Sequence, residues 1–146
     1  MIEVKENKDL VKLVSLLSDD IKRKVGCVIV NKYDEVISSG SNTIPQRVFK
    51  SEDRLVLEEK NKWVGHAERN AIANAAKKGI STNEGKMYCS YFPCSGCAIS
   101  IIEAGIKKVY TTKPDFNHHK WGESWRISET MFRESGVDVE YIDFSM

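Results

Sequence analysis

The sequence predicts an α/β fold, a mixed sheet of about five strands with helices packed on its faces. Three stretches carry that expectation. First, Val25 to Asn31 is a short apolar, β-branched run, and Val36 to Ser39 is a second one. The turn residues Asn31-Lys32-Tyr33-Asp34 lie between them, so the two should pair as an antiparallel hairpin. Second, from Lys86 onward strand-like and helix-like segments alternate. That order favours right-handed crossovers and parallel pairing. Third, the alanine-rich stretch from His66 to Lys78 reads as a helix, with lysines suited to its C-terminal dipole and Gly79 as its stop.

The remaining elements follow in order. Lys8 to Leu17 carries Leu10, Val11, Leu13, Val14, Leu16 and Leu17 at helical spacings, which predicts an amphipathic helix. Ser41 to Gly65 is polar and irregular. Pro45 breaks it, and Ser51 to Lys60 has room for a short helix. Its character suggests an excursion across the mouth of a site. Lys86 to Tyr91 is a strand, Cys94 to Ala104 a helix closed by Gly105, and Lys107 to Thr112 a strand stopped before Pro114. Trp125 to Ser135 is the last helix, and Val137 to Ile142 the last strand.

At 146 residues the chain is expected to form one domain, 1–146, able to bury a core without disulfides. A net charge of +1, from 22 basic and 21 acidic residues, argues against a protein that grips a long nucleic acid. Met1 to Asp9 has no apolar signal core, and no stretch approaches ~20 apolar residues. No membrane partner is expected, and the reducing cytoplasm is the expected compartment. Cys27 and Cys89 lie inside apolar runs and read as small buried hydrophobes.

The chemistry is concentrated in His66-Ala67-Glu68 and Pro93-Cys94-Ser95-Gly96-Cys97. Together they form H-x-E…P-C-x-x-C, the signature of zinc nucleobase deaminases. One imidazole and two thiolates suit zinc, and three protein ligands leave the fourth tetrahedral position open, as in catalytic sites. Cys94 and Cys97 fall on one face of a helix start, whose partial positive charge favours thiolates. Glu68, two residues after His66, points to a different side of its helix. It is therefore poorly placed as a ligand and better placed to move protons between a water and a substrate. A closed structural zinc site would need a fourth ligand, with His118 or His119 as the candidates. A whole helix and strand separate them from Cys97.

Around these motifs the chain resembles the deoxycytidylate (dCMP) deaminase family, within the wider cytidine deaminase-like superfamily. The matching stretches are Lys24 to Val30, His66 to Ile72, Met87 to Tyr110 and the closing MFRESGVDVEYI. The resemblance implies a three-layer α/β/α sandwich, and hydrolytic deamination of a cytosine nucleotide, dCMP to dUMP. It also implies one zinc ion on His66, Cys94 and Cys97, with Glu68 as proton shuttle. It gives the backbone amide of Ala67 a contact to the base carbonyl, and it implies a homo-oligomer, dimer or hexamer. Asn42 has two readings, a sugar contact by the resemblance and a plain turn residue. Residues 43–65 hold no Cys or His for a second zinc. Lys113 to Trp125, with His118, His119, Trp121 and Trp125, has no counterpart in the resemblance. It either closes over a base or is a packed surface loop with Trp125 in the core. Lys22-Arg23-Lys24, Arg47 and Arg54 are the candidate phosphate contacts, against the plainer role of solvated surface cations. The alternatives are another substrate (a free nucleoside or base, a modified pyrimidine, or a tRNA or single-stranded DNA base) or an inactive zinc-stabilised binding module.

Overall fold

The buried run after Val25 becomes strand β1 (Gly26–Val30), every residue of which is buried. In the computed structural model, which describes residues 2–145, it lies inside a five-stranded sheet. The other strands are β2 (Val36–Ser41), β3 (Lys86–Cys89), β4 (Lys108–Thr111) and β5 (Asp138–Tyr141), in the order β2-β1-β3-β4-β5. β1 pairs antiparallel with both β2 and β3, whereas β3, β4 and β5 run parallel. The antiparallel hairpin and the parallel later strands are as the sequence predicts.

Successive strand residues face opposite sides of a sheet, which divides the core in two. Cys27, Ile29, Met87, Cys89 and Val109 face one way. They meet Ala67 and Ala71 of α3 (Ala67–Lys77), Ala98 and Ile101 of α4 (Ser95–Glu103), and Trp125 and Phe132 of α5 (Gly122–Ser135). Val28, Val30, Tyr88 and Tyr110 face the other way and meet Val11 and Val14 of α1 (Ile2–Ser15) and Phe144. The three layers are thus α1, the sheet, and the α3-α4-α5 layer. The tyrosines of β3 and β4 stack on the α1 side at 4.3 Å between ring centroids.

Three boundaries differ from the sequence expectation. α1 starts six residues earlier and ends at Ser15, and its buried face is Val11 and Val14. Leu13, Leu16 and Leu17 stay at least 63% exposed, because the helix meets the sheet along a narrow stripe and turns away after Ser15. The helix expected over Ser51 to Lys60 is instead two 3-10 turns, Glu52–Arg54 and Leu57–Glu59, before the single-turn α2 (Lys60–Trp63). A left-handed Leu57 (φ +47°) interrupts helical continuation there. α5 begins at Gly122, one turn early, with Trp121 at its N-cap.

The excursion from 43 to 65 is closed at its base by a bridge between Thr43 and Gly65. The Asn70 side chain of α3 donates to the carbonyls of Ser41 (2.8 Å) and Gly65 (3.1 Å), which seats that base against the α3-α4-α5 layer. No helix among the described residues is long and apolar enough to cross a membrane.

Candidate active site

His66 and Cys94 occupy equivalent places. Each has extended backbone and stands as the N-cap of its helix, His66 before α3 and Cys94 before α4. Their carbonyls accept the first helical N–H groups, from Asn70 and Ala98, both at 2.9 Å. Their side chains make no capping bond and are free to turn towards each other. Two helix N-termini therefore meet at one point, and their partial positive charges favour anionic ligands there.

His66 Nδ1 lies 3.5 Å from Cys94 Sγ and 3.3 Å from Cys97 Sγ, and the three donor atoms lie within 4.8 Å of one another. Zinc bonds of about 2.3 Å to sulfur and ~2.0 Å to nitrogen would give a tetrahedral edge of about 3.5 Å. The triad fits that edge without rearrangement, and its donors are the soft-to-borderline set that zinc takes. The Cys97 thiol, with His66, holds the Cys94 sulfur as thiolate. This pulls its pKa down to about 3 against the opposing effect of burial, while Cys97, as the donor, is pushed up. The Arg69 guanidinium also reaches Cys94 Sγ, at 3.7 Å. The candidate fourth ligands are elsewhere engaged. His118 Nδ1 accepts the backbone N–H groups of Lys120 and Trp121, and the His119 ring stacks on that of His118. Neither belongs to the group of three, so an ion held by the triad would have one tetrahedral position open.

Beside the triad opens a cavity of about 170 Å³, lined by His66, Ala67, Glu68, Asn42, Phe92 and Cys94 among others. That volume suits a single six-membered ring, since an engineered cavity of ~150 Å³ holds a benzene. Glu68 is only 5% exposed, and burial raises its carboxyl above the ordinary range. Ala67, the first residue of α3, is buried on the same wall. Of the six site residues read from the sequence, Asn42, His66, Ala67, Glu68 and Cys94 line this cavity, and Cys97 reaches it through its contact with His66.

Asn42 is more than a turn residue. Its Oδ1 accepts the Val25 N–H (2.9 Å) and its Nδ2 donates to the Arg23 carbonyl (2.7 Å). It clamps the end of β2 to the segment that leads into β1. Arg47 and Arg54 do not line the cavity; Arg54 lies over the Trp63 ring at 4.0 Å and donates to the Phe49 carbonyl. The cations that do line it are Arg23, Lys60 and Lys120. Trp121 and Trp125 of the 113–125 stretch line it too, and Trp125 is also part of the core. The stretch thus gives Trp125 to the core, as the second reading expects, and two rings to the cavity wall.

Asp20, Lys60 and Tyr91 had no sequence signal of their own. Asp20 and Lys60 meet at 2.8 Å across forty positions of chain. Burial works against the Asp20 charge. The Lys60 ammonium and the N–H groups of Lys22 and Arg23 outweigh it and hold the carboxyl below its ordinary value. Tyr91 stands three residues before Cys94, in the β3–α4 connection, so its nearness to that cysteine is the one available hint.

A three-layer α/β/α sandwich that presents His, Cys and Cys from two helix N-termini, with a buried glutamate beside them, defines a zinc-dependent deaminase. Comparison with known proteins agrees. The model of the cytidine and deoxycytidylate deaminase zinc-binding region matches residues 5–113, and the chain belongs to that family. An uncharacterized deaminase of the luxG 3' region of Aliivibrio fischeri is 36% identical over 91% of this chain and 88% of its own length. The human deoxycytidylate deaminase is 38% identical over 82% of this chain and 68% of its own. The crystal structure of the cyanophage S-TIM5 dCMP deaminase in complex with dCMP and dUMP superposes with a TM-score of 0.74. It is 28% identical and covers 96% of this chain and 97% of that one. The protein is a zinc hydrolase of the deaminase class.

Proposed function

We propose that the protein converts dCMP and water to dUMP and ammonia. One observation carries the reading: His66 and Cys94 of the triad line the same single-ring cavity as the buried Glu68. The relatives named deoxycytidylate deaminase, and the cyanophage enzyme's complex with dCMP and dUMP, support the choice of nucleotide.

In this reading His66, Cys94 and Cys97 hold zinc, which when bound supplies Lewis acidity that lowers the pKa of water towards ~7. The N–H of Ala67 heads α3, where no intrahelical acceptor exists, and donates to the base carbonyl. Asn42, which lines the same cavity, meets the sugar. Glu68 takes a proton from the attacking water and hands it to the ring nitrogen. The hydroxyl adds to the amine-bearing carbon. Glu68 then moves the proton of the added hydroxyl to the amine, the C–N bond breaks as the carbonyl forms, and the amine leaves as ammonia. Burial suits the carboxyl to this work, because it raises the pKa and so favours holding a proton between the two transfers.

The test is ammonia release by the zinc-loaded protein from dCMP, CMP, deoxycytidine, cytosine, guanine and an adenosine-containing tRNA stem-loop. Fast turnover of dCMP supports the reading; turnover of another substrate with none of dCMP overturns it. Glu68→Gln should keep fold and zinc and lose at least ~100-fold in kcat. Undiminished turnover would remove Glu68 from the mechanism.

A further inference from the structure

We infer that Ser124 and Ser128 of α5 are positioning residues that aim the Cys94 thiolate at the metal, so that a helix carrying no ligand governs how tightly zinc is held. The inference rests on the reading of His66, Cys94 and Cys97 as the zinc site and is independent of the choice of nucleotide. An N-cap side chain ordinarily accepts an N–H of the first helical turn. Cys94 is the N-cap of α4, yet its side chain makes no capping bond and approaches His66 instead. The N–H of Ser95, the first of α4, is satisfied from another helix: it donates to Ser124 Oγ at 2.8 Å. The corresponding N–H of α3 belongs to Ala67, which lines the cavity. One helix start is thus closed by α5, and the other is left to the substrate.

Ser128 acts on the other side of Cys94. It is fully buried, and its hydroxyl donates to the Pro93 carbonyl at 2.8 Å. A second acceptor, the Ser124 carbonyl of its own helix, lies farther off at 3.1 Å. Proline has no N–H, so this carbonyl is the one hydrogen-bonding group of the Pro93 backbone. Ser124 and Ser128 are four apart and share a face of α5. Between them they hold the peptide group that enters Cys94 and the peptide group that leaves it. Fixing both peptide planes fixes the Cα–Cβ direction, which leaves the sulfur a single torsion, χ1. A ligand ordered in this way is in place before the metal arrives. Support one step behind a ligand atom is worth roughly 10–100-fold in metal affinity.

Two measurements on the full chain test this. The zinc dissociation constant is read by competition with a chromophoric chelator. Cobalt(II) in place of zinc reports the geometry at the sulfurs through its thiolate charge-transfer and visible d–d bands. Ser124→Ala and Ser128→Ala should each weaken zinc by about tenfold, and the double variant by about 10–100-fold. The cobalt bands should shift in all three. Ser124→Thr, which keeps the hydroxyl, should restore most of the affinity. Thr82→Ala is the control: it removes a 2.8 Å bond to the Ala104 carbonyl at the far end of α4 and should leave zinc affinity unchanged. The single variants carry the comparison should the double variant fail to fold. Wild-type affinity with unchanged cobalt bands in the serine variants overturns the inference. So does an equal loss in Thr82→Ala, which would mark a general loss of stability. Ser124→Thr as weak as Ser124→Ala overturns it as well. Cys94→Ala separates the two readings. If it holds zinc as tightly as the wild type, the triad reading fails and takes the inference with it. If it loses zinc while the serine variants keep theirs, the inference fails alone.

Discussion

Asp20 shows how a residue without a motif acquires a task. Its Oδ2 accepts from the Lys60 ammonium, while its Oδ1 accepts the N–H groups of Lys22 and Arg23. One carboxylate thereby ties the excursion from 43 to 65 to the loop that enters β1, and both segments line the cavity. Its pKa is held below the ordinary 3.8, so the charged pair stabilises the fold above that pH. The contribution fades as pH falls through the lower, folded-state value. Asp20→Asn keeps an oxygen for the two backbone donors and removes the charge facing Lys60. At pH 7 it should lower the melting temperature by about 2–4 °C, equivalent to ~1 kcal/mol for a chain of this size. The gap between wild type and variant should close as pH is taken below 3.8. Thermal melts at pH 7 and pH 3 check this, and a gap as wide at pH 3 as at pH 7 would mean that the charge is not what stabilises.

At the scale of elements, helix α3 is positioned by its contact with strand β2. Ser38 Oγ donates to the Ala71 carbonyl, Asn74 Nδ2 to the Ser39 carbonyl, and Asn70 Nδ2 to the Ser41 carbonyl. Gly40 sits among these stitches. A Cβ there would stand 2.5 Å from the Ala71 nitrogen and 2.8 Å from the Ala67 oxygen, so helix and strand are in backbone contact. Gly26 on β1 does the same towards α1 on the opposite face. Gly40→Ala should therefore cost about 1–3 kcal/mol in denaturant unfolding. Because α3 carries Glu68 and is capped by His66, the displaced helix should also release zinc to a chelator more readily. Full stability with unchanged zinc retention would contradict the backbone-contact account. This contact explains what the sequence made legible. The strands and the long helices could be read because alternation and period are local, and the triad because ligand spacing is local. The pairing of Asp20 with Lys60 joins residues forty apart, and the stacking of Arg23 on Tyr91 and Trp121 joins three separate segments; no period or spacing encodes either. The exposed Leu16 and Leu17 misled the placement of α1, since helical spacing alone does not say which of two apolar stripes faces the sheet.

Over the whole molecule, the two faces of the sheet carry different burdens. One face holds the single helix α1 over Val28, Val30 and the stacked tyrosines. The other holds three helices, and the chemistry lies where α3 and α4 begin. Nothing covalent joins those two helix starts, since all four cysteines are free. Bringing two sulfurs and an imidazole within 4.8 Å at the positive ends of two helices crowds polar groups that a metal is suited to satisfy. Zinc on His66, Cys94 and Cys97 would act as the missing cross-link, and its binding free energy would add to folding. At a thousandfold excess over the dissociation constant that amounts to about 4 kcal/mol. Chelation should then lower the melting temperature by ~10 °C. The loss should be reversed by zinc and not by magnesium, which avoids sulfur ligands. Amide exchange should rise first at the N-terminal turns of α3 and α4, while α1 and the β1–β3 pair keep their protection, because they lie outside the layer that the metal joins. An unchanged melt after complete zinc removal would mean that the helices hold the triad together by packing alone, leaving the metal a role only in the chemistry.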